Sequence, residues 1–136
     1  MRETVSVPGV PPKKDGANSM WGKPAEVPRL KALRAAVRAK VTSPIAGSKR
    51  VTLRLRVLAD SSAGDLDNFI TGICDGLMAA DPRARIDPEQ WLDVPVEIRP
   101  DRPIAFVDDG IVAVIEAERL ALEDTAGERY DLELEW

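Results

Sequence analysis

Two segments of strictly alternating polarity constrain the fold of this chain more than any other feature. Between Val51 and Val57 the odd-numbered residues are apolar, and the even-numbered residues are threonine or arginine. Residues 130–136 repeat the pattern, with Tyr, Leu, Leu and Trp alternating with three acidic residues. A period of two is typical of a strand that buries one face and exposes the other. Both segments are therefore predicted to be half-buried strands.

Helical spacing appears in two places between these strands. Leu30, Leu33, Val37 and Val41 recur at helical intervals after Pro28, a residue suited to the first turn of a helix. A second helix is predicted from about residue 65 to residue 80, with one continuous apolar face. Cys74 lies within that face, so we interpret it as a core residue and not as a nucleophile.

Shorter patterns complete the predicted order of elements. Residues 3–7 indicate a first strand, and residues 104–107 and 111–120 indicate two later ones. Residues 89–92 suggest a helical turn, and residues 94–98 a short strand. Strands near both ends with two helices between them predict an α+β fold, in one domain spanning residues 1–136.

Two stretches are predicted to be irregular. Residues 8–26 are rich in proline and lysine and are expected to form a flexible loop. Residues 81–102 contain four prolines and no clear period, which indicates an irregular insertion.

The composition excludes several kinds of chemistry. The chain has no histidine and one cysteine, so an internal disulfide, a zinc site of the usual Cys/His kind and a histidine-based triad are excluded. Any catalysis must use carboxylates, lysines, a hydroxyl or a metal. No apolar run approaches the roughly 20 residues of a membrane span, and the N-terminus lacks the apolar block of a signal peptide. We therefore expect a cytoplasmic protein with no membrane partner.

The charge is distributed unevenly along the chain. Residues 1–50 hold 11 Lys/Arg against 3 Asp/Glu, whereas residues 51–136 hold 8 against 20. Such asymmetry can mark a nucleic-acid-binding arm beside an acidic site. It can equally mean that the two halves neutralise each other in the fold. A basic stripe on the first helix, at Lys31, Arg34 and Arg38, is open to two interpretations: a nucleic-acid-binding surface, or a solvated face, as most helix charge runs are.

Two acidic segments stand apart from the rest. Asp65 and Asp67 open the second helix, and Asp108 and Asp109 precede a strand about forty residues later. Helix capping, the helix dipole and a hairpin turn at Asp109-Gly110 would each explain one part. None explains why two pairs occur together, since gathered carboxylates repel unless a cation neutralises them. A hard cation such as Mg²⁺ needs several oxygen ligands of this kind.

The ordered set of segments resembles the RusA family of Holliday junction endonucleases. The family pattern is a short strand, a Pro-rich segment, a helix, a strand, a D-x-D-N-x-x-K helix with a further Asp, and D-D before a strand. The matching pieces are Val5-Ser-Val-Pro-Gly-Val-Pro-Pro12, the helix after Pro28, the strand Val51 to Val57, Asp65-Leu-Asp67-Asn68-Phe-Ile-Thr71-Gly-Ile-Cys-Asp75-Gly-Leu77, and Asp108-Asp109.

This resemblance implies a small mixed β-sheet with helices packed on one side, assembled as a homodimer. It implies resolution of four-way DNA junctions by paired symmetric nicks, with Mg²⁺ as cofactor and Mn²⁺ as the alternative. The catalytic residues would be Asp65, Asp67 and Asp109, with Asp108 added to complete the metal ligands. Asn68, Thr71 and Asp75 would support them. The basic residues available to bind branched DNA are Lys13, Lys14, Lys23, Lys31, Arg34, Arg38, Arg54 and Arg56.

The chain departs from the family pattern at several positions. Thr71 stands where the motif has lysine, and Glu116 and Glu118 occupy a strand that is often basic in the family. The sequence pI of about 4.9 is low for a protein that neutralises phosphates. Two alternatives therefore stay open: a protein of this fold that binds or interacts without cutting, and hydrolysis of a different phosphodiester.

Overall fold

The two alternating segments form the central pair of a four-stranded sheet. The computed structural model describes residues 1–14, 20–122 and 127–136, so residues 15–19 of the predicted 8–26 loop lie outside the described residues. The strands and helices in the described parts are β1 (Arg2–Pro8), α1 (Val27–Arg38), β2 (Val51–Leu58), α2 (Leu66–Gly76), β3 (Val112–Leu120) and β4 (Arg129–Glu135). The predicted α+β class is confirmed.

The sheet is mixed and has the order β1-β4-β2-β3. β4 runs antiparallel to both β1 and β2, and Leu55 lies opposite Leu132 at the centre. β2 and β3 are parallel, and α2 lies in the connection between them. A parallel pair needs such a crossover, because its strands run in the same direction. The crossover brings the start of β3 to the end of the sheet where α2 finishes.

Both helices pack on one face of the sheet. The apolar residues of β1, β2 and β4 form a single core with Leu33 and Val37 of α1 and with Phe69 and Ile73 of α2. The opposite face of the sheet carries the polar side chains of the alternating strands. A smaller cluster lies beside this core, where the rings of Trp21 and Trp91 are 5.9 Å apart.

Two local predictions, the strands at residues 94–98 and 104–107, were wrong. Residues 104–107 are irregular and not a strand, although residues 104–106 are buried. The backbone N–H groups of Ile104 and Ala105 both donate to the Leu77 carbonyl. These buried donors are therefore satisfied by one acceptor and not by the regular hydrogen bonds of a sheet. Residues 96–98 form a 3₁₀ turn. The segment Asp109–Ile111 is also a 3₁₀ turn and not a hairpin, because the strand after it is parallel to β2.

Arg34 anchors the irregular stretch after α2. Its side chain is fully buried, and its guanidinium donates to five backbone carbonyls at 2.5–2.9 Å. These acceptors are the carbonyl oxygens of Gly76, Met78, Ile98, Arg99 and Arg102. Burial, and to a lesser degree the charge of Arg38, lowers the Arg34 pKa to about 9, so the side chain stays charged at neutral pH. Arg34 is thus neither on a solvated face nor accessible to DNA, so its predicted role in binding DNA was wrong.

Cys74 is buried in the core, as predicted. Burial raises its pKa to about 12, with smaller contributions from the charges of Asp109 and Asp75. Because the thiolate is the reactive form, we expect iodoacetamide at pH 8 to leave Cys74 unmodified in the folded protein and to alkylate it fully in guanidinium chloride. Mass spectrometry of the two samples checks this expectation. Rapid alkylation of the folded protein would contradict it.

No helix in the described part of the chain is long and apolar enough to cross a membrane.

Candidate functional site

The start of α2 carries the first acidic pair. Asp65 occupies the N-cap position, but its side chain makes no capping hydrogen bond. Asp67 lies in the first turn, and both residues are exposed. Capping therefore does not account for the Asp65 carboxylate, although an acid in the first turn is favoured by the helix dipole.

A polar stripe continues along α2 from this pair. Asp67, Thr71 and Asp75 are four residues apart and therefore share one face of the helix. The Thr71 hydroxyl donates to the Asp67 carbonyl at 3.0 Å, so its hydrogen goes to the helix backbone. Asp75 is half-buried, and its carboxylate lies 2.9 Å from the Lys14 ammonium. Asp75 is thus the residue of this polar stripe that pairs with the Lys14 ammonium.

The second acidic pair lies beside the other end of α2. The Asp109 N–H donates to the Met78 sulfur at 3.2 Å, which holds Asp109 next to the residues that follow the helix. The Asp108 side chain accepts from the Gly110 N–H at 2.8 Å and so caps the 3₁₀ turn. Partial burial raises the pKa of Asp109, and the charges of Asp75 and Asp108 add to the rise, while Lys14 opposes it. Negative charge is therefore concentrated here beyond what Lys14 compensates.

Asp75 and Asp108 lie close enough to Asp109 for their charges to act on it, whereas Asp65 and Asp67 lie at the start of α2. Eight residues separate Asp67 from Asp75, which is about 12 Å along a helix. Within the described residues, no three His, Cys, Asp or Glu side chains are close enough to hold a metal ion. The assignment of Asp65, Asp67, Asp108 and Asp109 as metal ligands therefore stays a prediction. Asp75, which was predicted only as a supporting residue, is the α2 carboxylate that interacts with Asp109. In the sequence, its four-residue spacing from Thr71 was the feature that placed it on the polar face of α2.

The donors at this end of α2 nevertheless suit a divalent cation. Carboxylate oxygens are the ligands that Mg²⁺ and Mn²⁺ accept most readily. The pKa of Asp109 is raised first by burial and then by repulsion from Asp75 and Asp108, and a bound cation would relieve the repulsion. The residues present therefore fit the predicted cofactor in chemistry.

The segment Pro12–Lys14, here called the N-terminal strap, lies across α2. A Cβ on Gly72 would come within 2.0 Å of the Pro12 carbonyl oxygen, so only glycine allows this approach. The Lys14 N–H donates to the Asn68 carbonyl at 3.3 Å. The Lys13 N–H donates at 3.1 Å to Glu26, whose side chain is buried. The strap is thus held at both sides, and it delivers Lys14 to Asp75.

Several of the predicted DNA-binding cations are engaged within the protein. The Lys31 ammonium lies 2.8 Å from the Asp93 carboxylate and 5.7 Å from the centre of the Trp91 ring. The Arg38 guanidinium donates to the carbonyls of Val41 and Pro103. Lys13 and Lys23 are half-buried in the segment that leads to α1. The Lys31 and Arg38 side chains therefore stabilise the packing around α1.

Arg54 and Arg56 lie on the open face of the sheet among carboxylates. Arg54 contacts Glu116, Glu133 and Glu135 at 2.5–3.2 Å, and Arg56 contacts Glu118 at 2.6 Å. The strand register produces these pairs, since Arg54 is aligned with Glu116 on one side and Glu133 on the other. The hydrogen bonds to these three carboxylates, Glu133 first, raise the Arg54 pKa.

The same face contains a groove of about 540 Å³ whose charged lining consists of two arginines and four acidic residues. The charged lining of this groove is therefore mainly acidic, and the DNA-binding role predicted for Arg54 and Arg56 stays a prediction. Glu116 and Glu118, which look out of place in a nucleic-acid-binding strand, are explained as the partners of these arginines.

Comparison with known proteins adds no assignment, because no protein-family model and no curated protein matches the chain. The candidate site consists of the acidic cluster formed by Asp75, Asp108 and Asp109, together with the Lys14 ammonium.

Proposed function

We propose that this chain is a divalent-metal-dependent endodeoxyribonuclease of the RusA type, which resolves four-way DNA junctions by paired nicks. The observation that carries the proposal is that Asp75, near the end of α2, lies close enough to Asp109 of the second acidic pair for their charges to interact. The mixed sheet and the order of its elements support it further. A homodimer, branched DNA as partner and a cytoplasmic location belong to the proposal through the sequence expectations.

In this proposal Asp75 and Asp109 hold Mg²⁺ or Mn²⁺, with Asp108 beside them. The bound cation would polarise the scissile phosphate and lower the pKa of a coordinated water. Asp109 supplies a partly buried carboxylate, and Met78 fixes the backbone from which it projects. The alternative ligand set, which the motif implies, is Asp65 and Asp67 together with Asp109 and Asp108.

The test is cleavage of a labelled synthetic four-way junction with Mg²⁺ or Mn²⁺, beside a linear duplex of the same sequence. We expect symmetric nicks on the junction alone. Asp109→Asn is expected to cut at least about 100-fold more slowly, because it removes a charged metal ligand without changing the side chain's size. Equal activity of the wild type and this variant, or no cleavage by protein shown to be folded by circular dichroism, would refute the proposal.

A pair of matched variants separates the two ligand sets. Asp75→Asn and Asp67→Asn make the same change on the same face of α2, two helical turns apart. We expect Asp75→Asn to weaken Mn²⁺ binding in calorimetry and Asp67→Asn to leave it nearly unchanged. The reverse result would assign the metal to the first turn of α2.

A second candidate is a protein of this fold that binds branched DNA without cutting it. Two observations favour it: the Thr71 hydroxyl is bonded to the Asp67 carbonyl, and the open sheet face is rich in carboxylates. A gel-shift of the junction in Mg²⁺, with no nicks after prolonged incubation, would support this candidate over the first.

A further inference from the structure

We propose that the Lys14 ammonium pairs with Asp75 before a metal ion binds. After the metal ion has displaced the ammonium from Asp75, the ammonium contacts the scissile phosphate. This inference rests on the proposed function and names a residue that the motif does not contain. It gives the site a positive charge from outside α2.

The first support is the position of the ammonium. It lies 2.9 Å from an Asp75 carboxylate oxygen and is close enough to Asp109 for their charges to interact. Its pKa is raised chiefly by the hydrogen bond to Asp75, then by the charges of Asp75 and Asp109. Lys14 thus pairs directly with Asp75 and acts on Asp109 through its charge, so a divalent cation that binds Asp75 must compete with it.

The second support is that the backbone of Lys14 is held while its side chain is able to move. The close approach at Gly72 and the bond to the Asn68 carbonyl hold the strap against α2. The side chains of Lys14 and Asp75 are both partly exposed, so water and a ligand reach the pair. A lysine side chain has four flexible carbons and three rotatable donors, which lets its ammonium change partner without any backbone shift.

The third support is that the neighbouring groups are otherwise engaged. The Thr71 hydroxyl carries no charge and donates within the helix. The Arg119 guanidinium donates to the Gly64 carbonyl before the start of α2, about three helical turns from Asp75. The Arg34 guanidinium is enclosed by carbonyls. Within the described residues, Lys14 is the cation that pairs with Asp75.

Removal of this charge is expected to act in opposite directions on metal binding and on cleavage. Without the competing ammonium, Lys14→Gln should bind Mn²⁺ about two- to fivefold more tightly, the range for a partly exposed ion pair. Without the contact to phosphate, single-turnover cleavage at saturating Mn²⁺ should slow by about 10- to 100-fold. A purely structural role would weaken both or lower the melting temperature.

The experiment is Mn²⁺ calorimetry and single-turnover junction cleavage with the full chain, for wild type, Lys14→Gln, Lys14→Arg and Lys49→Gln. Lys14→Arg restores the charge and is expected to recover most of the rate. Lys49→Gln removes one exposed positive charge from the loop before β2 and controls for net charge. Unchanged binding and rate in Lys14→Gln would overturn the inference and leave the proposed function intact.

The two failures are distinguishable because the metal titration needs no DNA. If wild type binds Mn²⁺ but cuts nothing, the proposed function fails, and tighter binding by Lys14→Gln still supports the competition for Asp75. If wild type binds no Mn²⁺, both the proposed function and the inference are overturned.

Discussion

Replacement of Arg34 by methionine is expected to lower the free energy of unfolding by about 4 kcal/mol or more. Methionine fills much of the same volume, but it leaves five carbonyl oxygens without their donor. Each buried acceptor left unsatisfied costs about 1–3 kcal/mol, and water can reach some of the partly buried ones. Since a domain of this size is stable by only about 5–15 kcal/mol, the variant should be close to unfolding. Urea denaturation followed by tryptophan fluorescence measures the change.

Two further variants serve as controls for the Arg34→Met substitution. Lys31→Met lies on the same helix and removes a pair with the exposed Asp93 and a contact with the Trp91 ring, so we expect a loss of about 1 kcal/mol. Arg34→Lys keeps the charge, but three compact donors cannot serve five carbonyls, so most of the loss should remain. Stability of Arg34→Met within 1 kcal/mol of wild type would contradict the anchoring role.

The second large effect is expected from Gly72→Ala. Alanine in a helix normally stabilises it by up to about 1 kcal/mol relative to glycine. Here the new Cβ would meet the Pro12 carbonyl oxygen at 2.0 Å and the Lys13 Cα at 2.9 Å, and both are backbone atoms that cannot rotate away. We expect a net loss of about 2–3 kcal/mol, near the upper range for overpacking, together with release of the strap from α2. Trypsin should then cleave after Lys13 and Lys14 faster than in wild type.

Two other glycines serve as controls for this substitution. A Cβ on Gly76 would meet the side-chain ends of Leu30 and Leu33 at 3.0–3.2 Å, which can shift, so a smaller loss is expected. A Cβ on Gly47 has no neighbour within 4 Å, and Gly47→Ala should change stability by less than about 0.5 kcal/mol. A Gly72→Ala protein as stable and as protease-resistant as Gly47→Ala would refute the close packing of the strap.

The predicted elements that proved correct are those with long, regular patterns. The alternation in residues 51–57 and 130–136 predicted β2 and β4, because a strand with one buried face must alternate. The prediction for 104–107 failed because a short buried apolar run does not distinguish a strand from an irregular segment whose N–H groups find single acceptors, here the Leu77 carbonyl. Arg34 was misjudged for a similar reason. Its position in a basic stripe could not reveal the carbonyls of residues 76–102 that converge on it.

Sequence by itself determined the fold class, the central strands, the two helices and the core position of Cys74, because these depend on periodicity within one segment. Tertiary structure alone decided which charges meet. It set Arg54 among carboxylates through strand register, enclosed Arg34 in carbonyls, and joined Asp75 to Asp109 and Lys14 across three distant segments. Electrostatic interactions fall off with distance in space and not with separation along the chain, so residue type states only which charges are available. The path of the backbone decides which of them become partners.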